Sequence, residues 1–239
     1  MLSGKTVKSI STGGAHACVV ASDSKAYCWG SNSAGQLGNN TTTDSSVPVA
    51  VNTSGVLSGK TIVAISAGSS HTCAVASDGR VYCWGMNSVG QLGNSSTTGS
   101  PVPVAVNVAG VLSGRTVTSV SAGTSHSCAL ASTGQAYCWG SGQYGRLGNA
   151  SSSNSSAPVA VSTSGALSGK SLSEVVAGDS HTCALASDGT AYCWGYGLTG
   201  RLGDGSNSNS SSPLAVDTSG VLSGKTIRDI NTGYDHTCA

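Results

Sequence analysis

Between residues 61 and 106 the chain sets apolar side chains at alternate positions in four short runs. These are Thr61-Ile62-Val63-Ala64-Ile65-Ser66, then His71 to Ser77, then Arg80-Val81-Tyr82-Cys83-Trp84, and last Pro103-Val104-Ala105-Val106. Between them lie Ala67-Gly68-Ser69-Ser70, the pair Asp78-Gly79, and a glycine-rich stretch from Gly85 to Gly93. Period-two alternation with β-branched residues, bounded by turn formers, predicts strands, and no segment sustains a helical period. The predicted unit is therefore four short antiparallel strands, the blade of a β-propeller.

The pattern recurs every 55 residues. Cys18, Cys73, Cys128, Cys183 and Cys238 share one phase; Cys28, Cys83, Cys138 and Cys193 share another. His16, His71, His126, His181 and His236 keep the period, as do Trp29, Trp84, Trp139 and Trp194. A fixed period of this length means stacked supersecondary units. The whole chain, 1–239, is a single repeat array with units 1–55, 56–110, 111–165 and 166–220 and a partial unit 221–239. The expected fold is all-β, a propeller of about four four-stranded blades plus a partial fifth. The last unit reaches Cys238 without the partner due ten residues on, and Met1 fills the slot held by Val56, Val111, Ala166 and Val221. Both ends are expected to be internal to a longer array.

The cysteines within a unit stand ten apart, at 18/28, 73/83, 128/138 and 183/193. In unit 2 the hairpin Ala76-Ser77-Asp78-Gly79-Arg80, with Gly79 in the left-handed position, pairs Ala76 with Arg80. Counting outward sets Cys73 opposite Cys83, where β-carbons come close enough for a disulfide. Ser24 replaces that glycine in unit 1. Two readings compete with the bridge. One is buried free cysteine. The other is a metal held by His71, Cys73 and Cys83, one ligand short of a closed zinc site. The bridge is the expectation, with no metal, and it implies an oxidising compartment.

Composition changes the picture in two ways. Charged residues are 9% of the chain and the net charge is +1, with no cluster of Lys and Arg. A nucleic-acid partner has no electrostatic footprint here. A surface of Ser, Thr, Asn and Gly fits an extracellular or cell-surface protein, and no apolar run is long enough to span a membrane.

Ile65-Ser66-Ala67-Gly68-Ser69-Ser70-His71-Thr72-Cys73-Ala74-Val75, Tyr82-Cys83-Trp84-Gly85 and Gly90-Gln91-Leu92-Gly93 resemble the regulator-of-chromosome-condensation repeat family. The resemblance runs through the chain four and a third times. It implies a seven-bladed propeller, of which this chain would form a little over half. Cys73 and its equivalents stand where the family usually has an aliphatic residue. The uniform spacing leaves no blade insertion of the kind used by the member that exchanges nucleotide on a small nuclear GTPase. The chain looks closer to bacterial secreted or surface proteins built on the same repeat.

Candidate chemistry is sparse. Each histidine lies in Gly-x-x-His and is expected to hold its turn through backbone hydrogen bonds. No carboxylate recurs beside it, since Asp179 and Asp235 occur in single units. Glu174 has no partner for paired-carboxylate chemistry. The tryptophans are expected to pack between blades rather than serve as sugar platforms. Catalytic residues and cofactors are expected to be none.

Differences between units carry more information. After Trp-Gly the units read Ser-Asn-Ser-Ala, Met-Asn-Ser-Val, Ser-Gly-Gln-Tyr and Tyr-Gly-Leu-Thr, and Arg146 and Arg201 replace Gln36 and Gln91. The turn before each histidine varies too, ending in Tyr234-Asp235. Loops on a rigid scaffold are where binding residues concentrate, and aromatics with Arg are typical anchors. Met86, Val89, Tyr144, Arg146, Tyr196, Leu198, Arg201 and Tyr234 are the candidate binding residues. The expected function is a non-catalytic binding or display scaffold for a protein or glycan. Self-association through open blade edges is a further expectation. A hydrolase or lyase with its site in further blades, and guanine-nucleotide exchange, are the alternatives.

Overall fold

In the computed structural model, which describes residues 2–239, the chain forms four four-stranded antiparallel sheets and one two-stranded sheet. Blade 1 holds β1 (Val7–Thr12), β2 (His16–Ala21), β3 (Ala26–Gly30) and β4 (Ser45–Ala50). Blade 2 holds β5 (Ile62–Ala67), β6 (His71–Ala76), β7 (Val81–Gly85) and β8 (Ser100–Ala105). Blade 3 holds β9 (Val117–Ala122), β10 (His126–Ala131), β11 (Ala136–Gly140) and β12 (Ser155–Ala160). Blade 4 holds β13 (Leu172–Ala177), β14 (His181–Ala186), β15 (Ala191–Gly195) and β16 (Ser210–Ala215). The pair β17 (Asn231–Thr232) and β18 (Thr237–Cys238) follows. Met1, whose slot matches Val56, lies outside the described residues. The fourth strand of blade 2 starts three residues before the predicted run, because Gly85 pairs with Ser100 across an irregularity in the ladder.

First strands of neighbouring blades lie side by side, β1 against β5, β5 against β9 and β9 against β13, so they line the axis. Each second strand is buried on both faces. Cys73 and Val75 of β6 point into the core shared with blade 3, while Ala74 and Ala76 point into the core shared with blade 1. That alternation is the two-residue period of a strand used to build two interfaces at once. Each interface also takes a Tyr and a Trp from the following blade: Tyr82 and Trp84, Tyr137 and Trp139, Tyr192 and Trp194.

The glycine of Gln-Leu-Gly makes room for that tryptophan. Gly93 has φ +67°, and a Cβ there would stand 2.7 Å from Trp139 Nε1. The indole N–H donates to the Gln91 carbonyl oxygen at 2.9 Å. The interblade packing expected of the tryptophans is observed for Trp84, Trp139 and Trp194, while Trp29 is half-buried against its own blade.

The hairpin register is as the sequence predicts. Ala76 N–H donates to Arg80 O at 3.0 Å, and Ser24 takes φ 59° in the slot of Gly79. Cys73 faces Cys83, and bridges join Cys18–Cys28, Cys73–Cys83, Cys128–Cys138 and Cys183–Cys193, each with Cα atoms 4.1 Å apart. Cys238 is the free, exposed cysteine. The bridges take up both sulfurs of each of the four complete units, so a metal centre on His71, Cys73 and Cys83 is not formed. Protein purified without reductant and denatured is expected to titrate one thiol per chain, rising to nine after reduction. Each bridge is worth about 3 kcal/mol in the chain-entropy treatment of a short loop. A count near nine before reduction would refute the bridges.

Candidate binding face

His16 pairs with Gly30, and His71 with Gly85, so the turn ahead of each histidine and the loop after each Trp-Gly lie at the same end of a blade. The turns are linked from blade to blade. Gly14 N–H donates to Gly68 O at 3.1 Å, Ser69 N–H to Gly123 O at 3.2 Å, and Thr124 N–H to Gly178 O at 3.2 Å. Together they rim an axial hollow of about 680 Å³, to which Asp179 and Tyr234 also contribute. Asp179 is the one carboxylate in that lining, and it accepts from Ser180 Oγ at 2.7 Å. Convergent acids, which a hydrolase or lyase would need, are not assembled there. Among the described residues no group of three or more His, Cys, Asp or Glu is placed to hold a metal.

The histidines do something other than hold their own turns. His16 Nε2 meets Thr72 Oγ1 at 2.8 Å, in the next blade. That hydroxyl already donates to Gln36 O at 2.8 Å, so it must accept from His16 Nε2–H. The relay repeats as His71–Ser127–Gln91 O, His126–Thr182–Arg146 O and His181–Thr237–Arg201 O. The expected backbone-bonding role is corrected: each imidazole clasps two blades. The other ring nitrogen, Nδ1, has no partner in these four histidines. Burial therefore penalises the imidazolium, lowering His16 and His181 to about 4 and His71 to about 3.

The loops after Trp-Gly fall into two kinds. In units 1 and 2 the Gln36 and Gln91 Oε1 atoms accept from Ala34 and Val89 N–H, each at 3.0 Å. In units 3 and 4 the Arg146 and Arg201 Nε–H groups donate instead to Gln143 O at 3.0 Å and Leu198 O at 3.1 Å. An acceptor side chain draws the peptide N–H toward it; a donor draws the carbonyl. The central peptide of the turn is thus flipped in units 3 and 4. Tyr144 sits at φ 62°, ψ 6° and Thr199 at φ 66°, ψ 16°, the third position of a type II turn, whereas Ala34 and Val89 stay out of the left-handed region.

This corrects the roles of two candidate residues. Arg146 is 4% exposed and Arg201 7%, so neither is a surface anchor. Arg146 also donates to Asp179 O at 3.0 Å, and Arg201 pairs with Asp235 at 2.8 Å, tying each loop to the axial turn of the next unit. Above them Tyr144 and Tyr196 stack with centroids 4.4 Å apart, and the Arg201 guanidinium lies 4.6 Å from the Tyr196 centroid. Both tyrosines are half-buried; Leu198 is 51% and Tyr234 69% exposed. Met86 is exposed and Val89 half-buried on the blade 2 loop. The sequence signal for the flip was present, as Asn32 and Asn87 change to Gly142 and Gly197 in the units where Gln becomes Arg.

Residues 1–239 match the RCC1-like domain family. The ultraviolet-B receptor UVR8 of Arabidopsis thaliana is 33% identical over 238 residues, covering 100% of this chain and 51% of the receptor. Human WBSCR16 superposes with TM-score 0.85 at 24% identity, over 98% of this chain and 57% of that one. Yeast RCC1 (Prp20), solved bound to Kap60, gives TM-score 0.83 at 19% identity, over 99% of this chain and 54% of that one. At these identities the solved structures speak for fold. The chain spans about half the length of each. All three are eukaryotic proteins, and they lend no support to the bacterial source expected from the sequence.

Proposed function

We propose, from the premise that this chain belongs to the RCC1-like domain family, that it is a binding scaffold that engages a protein partner through the loop-and-turn end of its blades. The observation that carries this is the Tyr144–Tyr196 step with Leu198 beside it, present on two adjacent blades and absent from the other two. Parts that hold a blade together recur in every unit. A feature confined to two blades, and held in the left-handed backbone region at Tyr144, is what a recognition surface needs. The yeast relative was solved bound to a protein, Kap60. A glycan platform made of the tryptophans is disfavoured, because Trp84, Trp139 and Trp194 are fully buried. The bridges support an oxidising setting, extracellular or at a cell surface.

The test is quantitative affinity capture with the paired variant Tyr144→Ala/Tyr196→Ala beside the unaltered protein and Arg80→Ala, a change at the opposite end. Loss of interface anchors of this kind costs about 2 kcal/mol or more, roughly a thirty-fold drop in affinity. Partners held equally by all three proteins would sink the assignment of this face.

A further inference from the structure

At the opposite end of the blades, the repeat builds the same small device three times. The Ser-Asp-Gly hairpin (Ser-Asp-Ser in unit 1) offers a carboxylate, and the lysine ahead of the first strand approaches it. Lys5 lies 3.5 Å from Asp23 Oδ2, Lys60 3.9 Å from Asp78 Oδ2 and Lys170 2.6 Å from Asp188 Oδ2. The other carboxylate oxygen accepts a backbone N–H, from Lys25 at 3.2 Å, Arg80 at 3.1 Å and Thr190 at 3.0 Å. In blades 1 and 2 a tyrosine hydroxyl completes the set, Tyr27 and Tyr82 each donating at 2.7 Å. In blades 1 and 4 the donors favour the charged acid: Asp23 is lowered, with the Tyr27 hydrogen bond as the leading cause, and Asp188 is drawn down to about 2, with the Lys170 hydrogen bond as the leading cause.

Blade 3 keeps the donors and lacks the acid. Thr133 occupies the slot of Asp78, while Arg115, the Gln135 N–H and Tyr137 remain. Among the described residues Arg115 forms no ion pair, and neither the Gln135 N–H nor the Tyr137 hydroxyl has an acceptor. In blades 1 and 2 Lys5 and Lys60 lie over their tyrosine rings at 4.9 and 5.7 Å; no such contact forms between Lys170 and Tyr192 in blade 4 or between Arg115 and Tyr137 in blade 3. Instead a hollow of about 480 Å³ opens between Val111, Arg115, Thr133, Gln135, Tyr137 and Ala160. Threonine ends at its γ atoms, one bond short of where aspartate carries its oxygens.

We propose that this hollow in blade 3 is a carboxylate-binding site, which takes the acid group of an aspartate or glutamate side chain on a peptide partner in the position that Asp78 fills in blade 2. The exchange of lysine for Arg115 fits that use. A guanidinium holds a carboxylate through two parallel N–H bonds, which suits a group arriving from outside better than a point charge does. The site is independent of the tyrosine face, which lies at the other end of the blades.

The experiment is an NMR titration of isotope-labelled protein with sodium acetate and, separately, with the capped tripeptide acetyl-Gly-Asp-Gly-amide. It follows the Arg115 Nε–Hε and Gln135 amide signals. Both signals are expected to shift and saturate in the unaltered protein, while the Arg80 and Arg228 side chains stay still. Thr133→Asp builds the device found in blades 1, 2 and 4, so it should fold and should fill the site internally. It and Arg115→Ala are each expected to raise the half-saturation concentration at least about ten-fold, the loss of one charge-assisted bidentate contact. Tighter binding of the tripeptide than of acetate assigns the site to peptides; equal binding keeps the site and overturns the peptide source. Linear shifts without saturation, or equal shifts in Thr133→Asp, overturn the proposal.

Discussion

At pH 5 the protein is expected to be several kcal/mol less stable than at pH 7, and to unfold as the pH approaches 4. The cause is the set of interblade histidines. His16, His71, His126 and His181 are buried with Nδ1 unpartnered, and burial lowers all four. In the unfolded chain each titrates near its ordinary value of about 6.5. Above that value both states hold a neutral imidazole, and folding is not penalised. Below it the unfolded chain takes up protons that the folded one refuses, so stability falls until the folded values, at about 4 and lower, are reached. The slope is about 1.4 kcal/mol per pH unit for each histidine, so at pH 5 each withdraws about 2 kcal/mol. Four together approach 8 kcal/mol, comparable with the whole stability of an ordinary domain. Urea melts at pH 7, 6 and 5, followed by circular dichroism, measure this directly. His71→Gln is expected to flatten the dependence by about one proton. Equal midpoints at pH 7 and pH 5 would contradict the neutral, clasped imidazoles.

Replacing Trp139 by alanine is expected to cost about 3–5 kcal/mol, the usual range for emptying a buried aromatic site. The indole is fully buried in the core shared by blades 2 and 3, seated over Gly93, and its N–H is bonded to Gln91 O. That carbonyl also accepts from Ser127, so both of its lone pairs are used by the next blade. Trp29 is the internal control. It occupies the same slot in blade 1, is half-buried and packs against Val19, Ala21 and Tyr27 of its own blade. Trp29→Ala should cost far less, about 1 kcal/mol or under. Because repeats are stabilised mainly by their neighbours, Trp139→Ala should also split the melt into two steps, one for each side of the weakened junction. Equal costs at Trp29 and Trp139 would show that the indoles do not join blades.

Much of the fold was legible from spacing. The period, the strand set, the cysteine register and the packing of the tryptophans all follow from local pattern, because strands alternate and hairpins fix what stands opposite what. The destinations of long side chains across blades were not legible. His16 and Thr72 are 56 positions apart, and nothing within a unit shows that the imidazole at the start of β2 reaches a hydroxyl in β6 rather than its own backbone. The binding face was half legible. Tyr144, Tyr196 and Leu198 stood out as unit-specific, but composition alone presents Arg146 and Arg201 as surface groups. Their burial becomes visible only when the turn peptide they bond is seen to be flipped. The Thr133 position shows the same limit, since its neighbours Arg115 and Tyr137 are brought to it by the sheet and not by the chain.

The junctions between blades obey one rule of offsets. His16 reaches Thr72 as His71 reaches Ser127, and Gln36 O receives Trp84 as Gln91 O receives Trp139. Removing residues 56–110 as a block would present Ser127 to His16 and Trp139 to Gln36, chemically the junction that already exists. Unequal crossing-over between gene copies of the unit thus lengthens or shortens the arc without breaking a single class of contact. Evolution can vary the number of modules freely while editing recognition one module at a time.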